Sequence, residues 1–338
     1  MLQQAPRERQ PAYINIIGAG VTGSWQALLL ARAGFHVSLF DQDEPPFRNS
    51  TGYWAGGMLA PWCESEGTEP VITRLGLRSL DLWDEELETT QRSGTLVVAH
   101  RRDRSDFDRF ARRTGGHETA DADRLAALEP QLAGQFDRAL LYPAEHHVEP
   151  RDVLLRLHGR LADLDVAIRY GARRDPARLG ALTIDCRGIA AREDLADLRA
   201  VKGEMIVVET RDIQLHRPVR LIHPRWPLYI VPREGGRFMI GATTIETDDV
   251  GVSVRSALEL LSAAYTVHPA FAEARIVEIG AGLRPAFPDN LPRIRIDGDR
   301  ISVNGLYRHG FLLAPALAEL TAAYLQRGAI DNEVMQCA

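Results

Sequence analysis

A chain of 338 residues holds about two ordinary domains with a substantial buried core, which excludes a disulfide-stapled miniprotein. Hydrophobic residues make up 45% and charged residues 25%, a balance that excludes a disordered or fibrous chain. Forty Lys and Arg stand against 46 Asp and Glu, and a net charge of −6 argues against nucleic acid or an anionic membrane surface as partner.

Cys63, Cys186 and Cys337 are odd in number and lack metal-ligand spacing, so neither a disulfide framework nor a metal site is expected, and a reducing cytoplasm is the default location. Residues 10–31 carry no charge, yet Asn15, Thr22, Ser24, Gln26 and three glycines make them a strand, turn and helix rather than a membrane span. The sequon Asn49-Ser50-Thr51 reads as chance without a secretory signal.

In chain order, Tyr13 to Ile17 is a short β-branched strand that stops at Gly18-Ala19-Gly20-Val21-Thr22-Gly23, a complete G-x-G-x-x-G. Residues 24–33 continue as a helix, with Val21, Trp25, Leu28 and Leu29 at helical spacing and Gly34 closing it. Residues 37–40 form a second strand that ends at Asp41, 18 residues beyond Gly23. In such a βαβ unit Gly18 permits the tight turn, Gly20 admits a pyrophosphate against the backbone, and Gly23 lets helix and strand close up. The diphosphate meets the free N–H groups of the helix start, and Asp41 is placed to accept hydrogen bonds from a ribose. The unit binds a dinucleotide; NAD and FAD both suit it at this point.

A simple nicotinamide domain would continue with another helix and strand. The chain instead runs Asn49-Ser50-Thr51-Gly52-Tyr53-Trp54-Ala55-Gly56-Gly57-Met58-Leu59-Ala60-Pro61, whose small residues let backbone approach a large planar ligand. Further helices are predicted over 69–88, 105–113, 150–164, 253–267 and 311–326. Strands are predicted over 95–99, 138–142, 166–170, 182–185, 204–209, 228–231, 238–242, 276–279 and 301–303. His146 and His147 are adjacent on an extended segment and point to opposite faces, which makes a structural turn the better reading than a metal pair or general base.

Motifs in one order along nearly the whole chain carry a resemblance. They are segment 49–61, His147-Val148-Glu149-Pro150, Val201-Lys202-Gly203-Glu204, Tyr229-Ile230-Val231-Pro232-Arg233, Gly241-Ala242-Thr243-Thr244, Gly282-Leu283-Arg284-Pro285 and the stretch from Tyr307 to Pro315. The chain resembles the D-amino acid oxidase superfamily of FAD-dependent oxidoreductases, and within it the glycine oxidase (ThiO) branch. The resemblance implies an α/β protein. A Rossmann-type FAD-binding domain would be assembled from residues 12–90, 140–203 and 276–330, and an α+β substrate domain on an antiparallel sheet from 91–139 and 204–275. It implies non-covalent FAD held by Gly18, Ala19, Gly20, Val21, Gly23, Asp41, Gln42, Ser50, Thr51, Gly52, Gly56, Gly57 and Met58. Gly188 and, near the C-terminus, Tyr307, His309, Gly310, Phe311 and Leu312 complete that set. Two departures stand out: Ile184-Asp185-Cys186-Arg187-Gly188 replaces the family's Ala-rich turn, and the segment from Gly171 to Leu182 is short for the hairpin that encloses the adenine side.

Oxidation of an amino acid by flavin needs a clamp on the carboxylate, a Cα–H bond aimed at the flavin, and a dry site. The planar fork of arginine suits the clamp. Arg284, between an apolar strand and Pro285, matches the family's carboxylate-binding arginine, and Tyr229 matches the tyrosine whose hydroxyl supports that carboxylate. Arg308 precedes the last helix, beside the flavin pyrimidine by resemblance, where it touches substrate or neutralises charge. Thr244 stands where some relatives carry a methionine lining the pocket, and Met58 and Cys63 read as packing residues near the flavin. The implied reaction converts glycine, or a similarly small amino acid, to an imine that hydrolyses to glyoxylate and ammonia. Oxygen would leave as hydrogen peroxide, and the imine would serve thiazole synthesis for thiamine. An oxidase of sarcosine or a D-amino acid, a dehydrogenase with another acceptor, and a non-catalytic flavin-binding subunit remain open. The partners expected are a small amino acid or amine, oxygen and, by resemblance, further copies of the chain in a homo-oligomer.

Overall fold

A computed structural model describes residues 13–87, 90–225 and 227–337. Residues 10–12 of the charge-free stretch, residue 12 of the first expected domain segment, and Glu88 at the end of a predicted helix lie outside them. The described residues begin with β1 (Tyr13–Ile17), α1 (Val21–Arg32), β2 (His36–Phe40), β3 (Met58–Leu59) and α2 (Pro70–Glu86). Next come β4 (Thr95–Ala99), α3 (Arg104–Arg113), β5 (Glu118–Asp121), α4 (Ala122–Leu128), β6 (Arg138–Tyr142), β7 (His146–His147) and α5 (Pro150–Asp163). The middle holds β8 (Ala167–Arg169), β9 (Leu182–Asp185), β10 (Arg199–Glu209), β11 (Val219–Ile222), β12 (Leu228–Arg233), β13 (Arg237–Gly241) and β14 (Ile245–Glu246). The last part is α6 (Val254–Val267), β15 (Arg275–Ala286), β16 (Arg293–Asp297), β17 (Arg300–Asn304), α7 (Gly310–Arg327) and β18 (Met335–Cys337).

The fold is α/β. One sheet has the order β18-β16-β17-β9-β1-β2-β8, parallel except where β16 meets β17. The second, with nine strands, is antiparallel except where β11 pairs with β4. Its strand β15 lies along β10 from Arg199↔Ala286 to Glu209↔Arg275. Sheet membership therefore departs from the expected segment limits: β10 enters the second sheet at residue 199 rather than 204, and β15 belongs to it although 276–330 was assigned to the dinucleotide part. The reason is physical, since a twelve-residue strand needs a partner for its ladder and β10 supplies it along its length.

α1 is apolar on nearly every side because it is enclosed between the first sheet and neighbouring helices, with Trp25, Leu28 and Leu30 fully buried. α2 starts with Pro70 at its first turn, where a missing N–H costs nothing. α7 carries Pro315 inside it, which leaves the carbonyl of Phe311 without its helical donor. Trp83 Nε1 on α2 donates to that carbonyl at 2.9 Å, so the proline break becomes the joint between the two helices.

Candidate functional site

A cleft of about 360 Å³ is lined by residues from both sheets. The expected cofactor residues Gly18, Gly20, Val21, Asp41, Gln42, Ser50, Thr51, Gly52, Gly56, Gly57, Met58, Gly188, Tyr307, His309, Gly310, Phe311 and Leu312 all line it, as do Arg284, Tyr229, Arg308 and Thr244. Ala19 and Gly23 do not. They lie behind the wall: the Ala19 N–H donates to Asp41 Oδ2 at 2.6 Å, and a Cβ at Gly23 would sit 1.8 Å from the Gly18 carbonyl oxygen. Gly23 thus lets α1 close onto the Gly18 turn.

At the first turn Gly18 has φ +99° and its α-carbon faces the Cys186 carbonyl, which leaves no room for a side chain. α1 begins at Gly20 without a side-chain cap, so its first N–H groups open into the cleft beside Val21 and Thr22. Asp41 is tied to the backbone on both sides. Both carboxylate oxygens accept backbone N–H groups, from Ala19 and from Asp43 at 2.8 Å, so it splints the turn to the end of β2 while burial raises its pKa. His158 on α5 adds a brace: its Nε2 lies 3.0 Å from the Ala19 carbonyl and 2.9 Å from Ser24 Oγ, and Tyr170 holds its Nδ1 at 2.9 Å. Between Gly171 and Leu182 there is one 3-10 turn (Pro176–Arg178) and no hairpin, and Ala172, Arg173 and Arg174 line the cleft there.

The small-residue segment folds as a 3-10 turn (Thr51–Trp54) laid on β15. Gly280 makes the contact, because a Cβ there would lie 2.2 Å from the Trp54 ring. Thr51 Oγ1 donates to the Leu283 carbonyl at 2.6 Å. Arg233, on β12, donates to the carbonyls of Gly56 (2.6 Å) and Val148 (3.0 Å) and pairs with Glu149. α7 likewise starts without a side-chain cap, at His309, with Gly310, Phe311 and Leu312 at the cleft wall.

Arg284 sits two residues from the end of β15. Its Nη1 donates to the Thr243 carbonyl at 2.9 Å, no carboxylate pairs with it among the described residues, and burial lowers its pKa to about 10. The space for its guanidinium comes from Gly203 on β10, where a Cβ would lie 2.0 Å from Arg284 Nη2. The Val201–Glu204 motif thus keeps the arginine's seat open, while Lys202 Nζ is held by the Gly251 carbonyl at 2.6 Å. Gly203→Ala is expected to dislodge the guanidinium and reduce kcat/KM by about a hundredfold without loss of flavin, the scale set by a displacement of about 1 Å in a positioning group. Steady-state kinetics beside the flavin-to-protein ratio checks it; unchanged kinetics would show that Arg284 needs no such space.

The reading of Tyr229 as a direct carboxylate donor meets an unforeseen neighbour. Its hydroxyl donates to Glu64 Oε1 at 2.5 Å, Glu64 Oε2 pairs with Arg308 Nη2 at 2.7 Å, and Arg220 Nη1 lies 3.9 Å from Oε1. Desolvation opposes ionisation of Glu64, yet Arg308, His309, Arg220 and the Tyr229 hydroxyl outweigh it and bring its pKa down to about 2. Arg308 is thereby engaged by protein. Sequence reasoning passed over both Glu64 and Arg220; neither sits in a local pattern that marks it. Cys63 is buried with its thiol pKa pushed up and does not line the cleft, so its packing role is away from the wall. His146 and His147 form β7 rather than a turn, paired with β3 and buried.

Burial holds His147 near pKa 3 and His309 near 4, both below the ordinary histidine value. Each binds a proton in the unfolded chain below about pH 6.5 but not in the fold, so each contributes stability that is lost as pH falls through that region. Buried Glu145, raised to about 7, acts in the opposite sense between about pH 4.5 and 7. Two groups outweigh one, and below pH 4.5 Glu64 joins the loss. Tm is therefore expected to fall from pH 6.5 downward and more steeply below 4.5; thermal scans across that range check it, and a flat profile would contradict it.

The sequence model of the DAO family, FAD dependent oxidoreductases, matches residues 14–324. A Rhizobium etli protein provisionally named thiamine biosynthesis oxidoreductase ThiO is 50% identical over 307 residues, covering 90% of this chain and 94% of its own. Glycine oxidase of Pseudomonas aeruginosa is 30% identical over 358 residues, covering 91% of this chain and 93% of its own. The crystal structure of glycine oxidase from Geobacillus kaustophilus superposes with a TM-score of 0.79 at 24% identity, over 94% of this chain and 96% of that one, which speaks to the fold. Taken with the glycine turn, the two uncapped helix starts and the cleft between them, these matches place the chain in the DAO family of FAD-dependent oxidoreductases.

Proposed function

We propose that the protein binds FAD non-covalently and oxidises glycine, or a similarly small amino acid, to its imine, which hydrolyses to glyoxylate and ammonia and supplies thiazole formation in thiamine biosynthesis. The observation that carries this reading is Arg284, a buried guanidinium in the cleft wall without a carboxylate to pair with among the described residues. A buried cation in that state costs stability until an anion arrives, and its fork fits a carboxylate.

The residues present fit FAD. Gly20 leaves the cleft side of the α1 start clear for a diphosphate, since a Cβ there meets nothing closer than Ser50 Oγ at 3.7 Å. The uncapped start of α7 suits an electron-rich ring edge. Cys186, the cysteine at the wall, is buried beneath the Gly18 turn with its thiol pKa raised, which suits a flavin held without a bond to sulfur. The chemistry FAD supplies when bound is two-electron acceptance from the substrate Cα–H bond, with oxygen as the final acceptor and hydrogen peroxide as product. The protein's own part is placement. Arg284 fixes the carboxylate, and with it the one or two atoms of a small amino acid beyond it. Glu64 and His309, with pKa values lowered to about 2 and 4, are weak bases, so the substrate ammonium gives its proton to water. The 50% identity to the Rhizobium protein supports the thiazole role.

The test is anaerobic mixing of the purified yellow protein with glycine, followed by admission of oxygen. Bleaching of the flavin, then recovery with peroxide, is the expected result; a flavin that stays oxidised with glycine, sarcosine and D-amino acids would remove the reading. Release of the flavin by acid denaturation checks the absence of a covalent link.

A further inference from the structure

We infer that Glu64 sets the charge of the substrate the site accepts, admitting an amine with one carboxylate and rejecting an amine with two. The inference rests on the amino acid reading above and adds a residue that determines specificity. Three guanidiniums gather here: Arg284 in the cleft wall, Arg308 beside it, and Arg220 behind Tyr229 with its Nη1 on the Cys63 carbonyl at 2.6 Å. Two carboxylates answer them. Glu64 contacts Arg308 at 2.7 Å and lies 3.9 Å from Arg220, and Glu66 lies 3.9 Å from the other Nη of Arg220. His309 is neutral at ordinary pH, because burial and the neighbouring arginines hold its pKa low. Glu145, which accepts the Cys63 N–H at 2.7 Å and whose pKa is pushed up to about 7, adds a partial negative charge behind Cys63. At the cleft wall the guanidinium without a carboxylate partner among the described residues is Arg284, which donates to a backbone carbonyl.

A single substrate carboxylate supplies the counter-charge that Arg284 lacks. A second would leave an uncompensated negative charge in a partly desolvated cavity beside Glu64, where like charges repel far more strongly than in water. Glu64 also occupies the two groups that could otherwise receive that second carboxylate, the Arg308 guanidinium and the Tyr229 hydroxyl. An anionic side chain placed in the cavity wall thus does by repulsion what pocket size alone does poorly for small ligands.

The test uses unreactive ligands, so it does not depend on turnover: glycolate, with one carboxylate, and diglycolate, the two-carboxylate ether analogue of iminodiacetate. Kd is measured by calorimetry on flavin-loaded protein. Wild type is expected to favour glycolate. Glu64→Gln, which adds one positive charge, should shift the Kd ratio towards diglycolate by at least about tenfold, and iminodiacetate oxidation should rise relative to glycine in parallel. Arg308→Gln, which removes one positive charge, should move the ratio further towards glycolate, and it serves as the test should the Glu64 variant not fold. A ratio within about twofold of wild type in either folded variant, or no binding of glycolate to wild type, overturns the inference. Normal binding ratios in a protein that never oxidises glycine, sarcosine or a D-amino acid would instead retire the functional reading and leave the charge rule standing.

Discussion

Arg284→Ala is expected to keep its flavin and lose about 10³-fold in kcat/KM for glycine, ~4 kcal/mol of transition-state stabilisation. The size follows from what the guanidinium does in the cleft. It sits in the wall with one nitrogen on the Thr243 carbonyl, and the rest of its fork has no carboxylate to hold among the described residues. The same change removes a buried charge whose ionisation burial disfavours, so the variant should melt at the wild-type temperature or above it. That pairing separates a binding role from a structural one, because loss of a structural ion pair would lower both activity and Tm. Arg284→Lys, which keeps the charge and loses the fork, should fall between. Normal kinetics in the alanine variant would remove the carboxylate clamp.

Gly20→Val should give a folded protein that purifies mostly without flavin. The α-carbon of Gly20 faces open cleft, with Ser50 Oγ the nearest atom to a built Cβ, and its φ of −68° suits any residue. Valine there occupies the volume a diphosphate needs and leaves the chain's own packing alone. Gly23→Ala is the control with the opposite signature: a Cβ 1.8 Å from the Gly18 oxygen forces helix and strand apart, at about 1–3 kcal/mol or more. Flavin-to-protein ratio and the melting temperature of each apoprotein distinguish the two, and full flavin occupancy in Gly20→Val would sink the phosphate-site assignment.

The βαβ unit was legible because its signals are local: a β-branched run, three glycines in fixed spacing, and an acid at the end of the next strand. Helices α2, α3, α5, α6 and α7 also follow from apolar spacing, and each forms within about two residues of its predicted limits. Strand β16 carries a readable alternation, with Ile294 and Ile296 buried and Arg293, Arg295 and Asp297 on the other face. β11 is four residues in a proline-flanked stretch and leaves too little pattern to read. The run 276–279 reads as an apolar strand, yet Ile276, Val277 and Ile279 are exposed; its length comes from pairing with β10. Glu64 was beyond reach for a different reason. It is one of 46 acidic residues, and what makes it matter is a tyrosine 165 residues away in sequence. Arg284 was found through its motif, whereas its lack of a carboxylate partner is a property of three dimensions.

The seat that β10 keeps open for Arg284 ties two positions together across the strand pair. A cation of that size cannot lie there once any side chain is present at residue 203, and an empty space at 203 has no purpose once residue 284 is short. The two identities should therefore change jointly among chains of this fold, glycine with arginine or neither. Inspecting that pair would sort uncharacterised chains into those built to receive an acid and those built for a neutral compound, before any of them is purified.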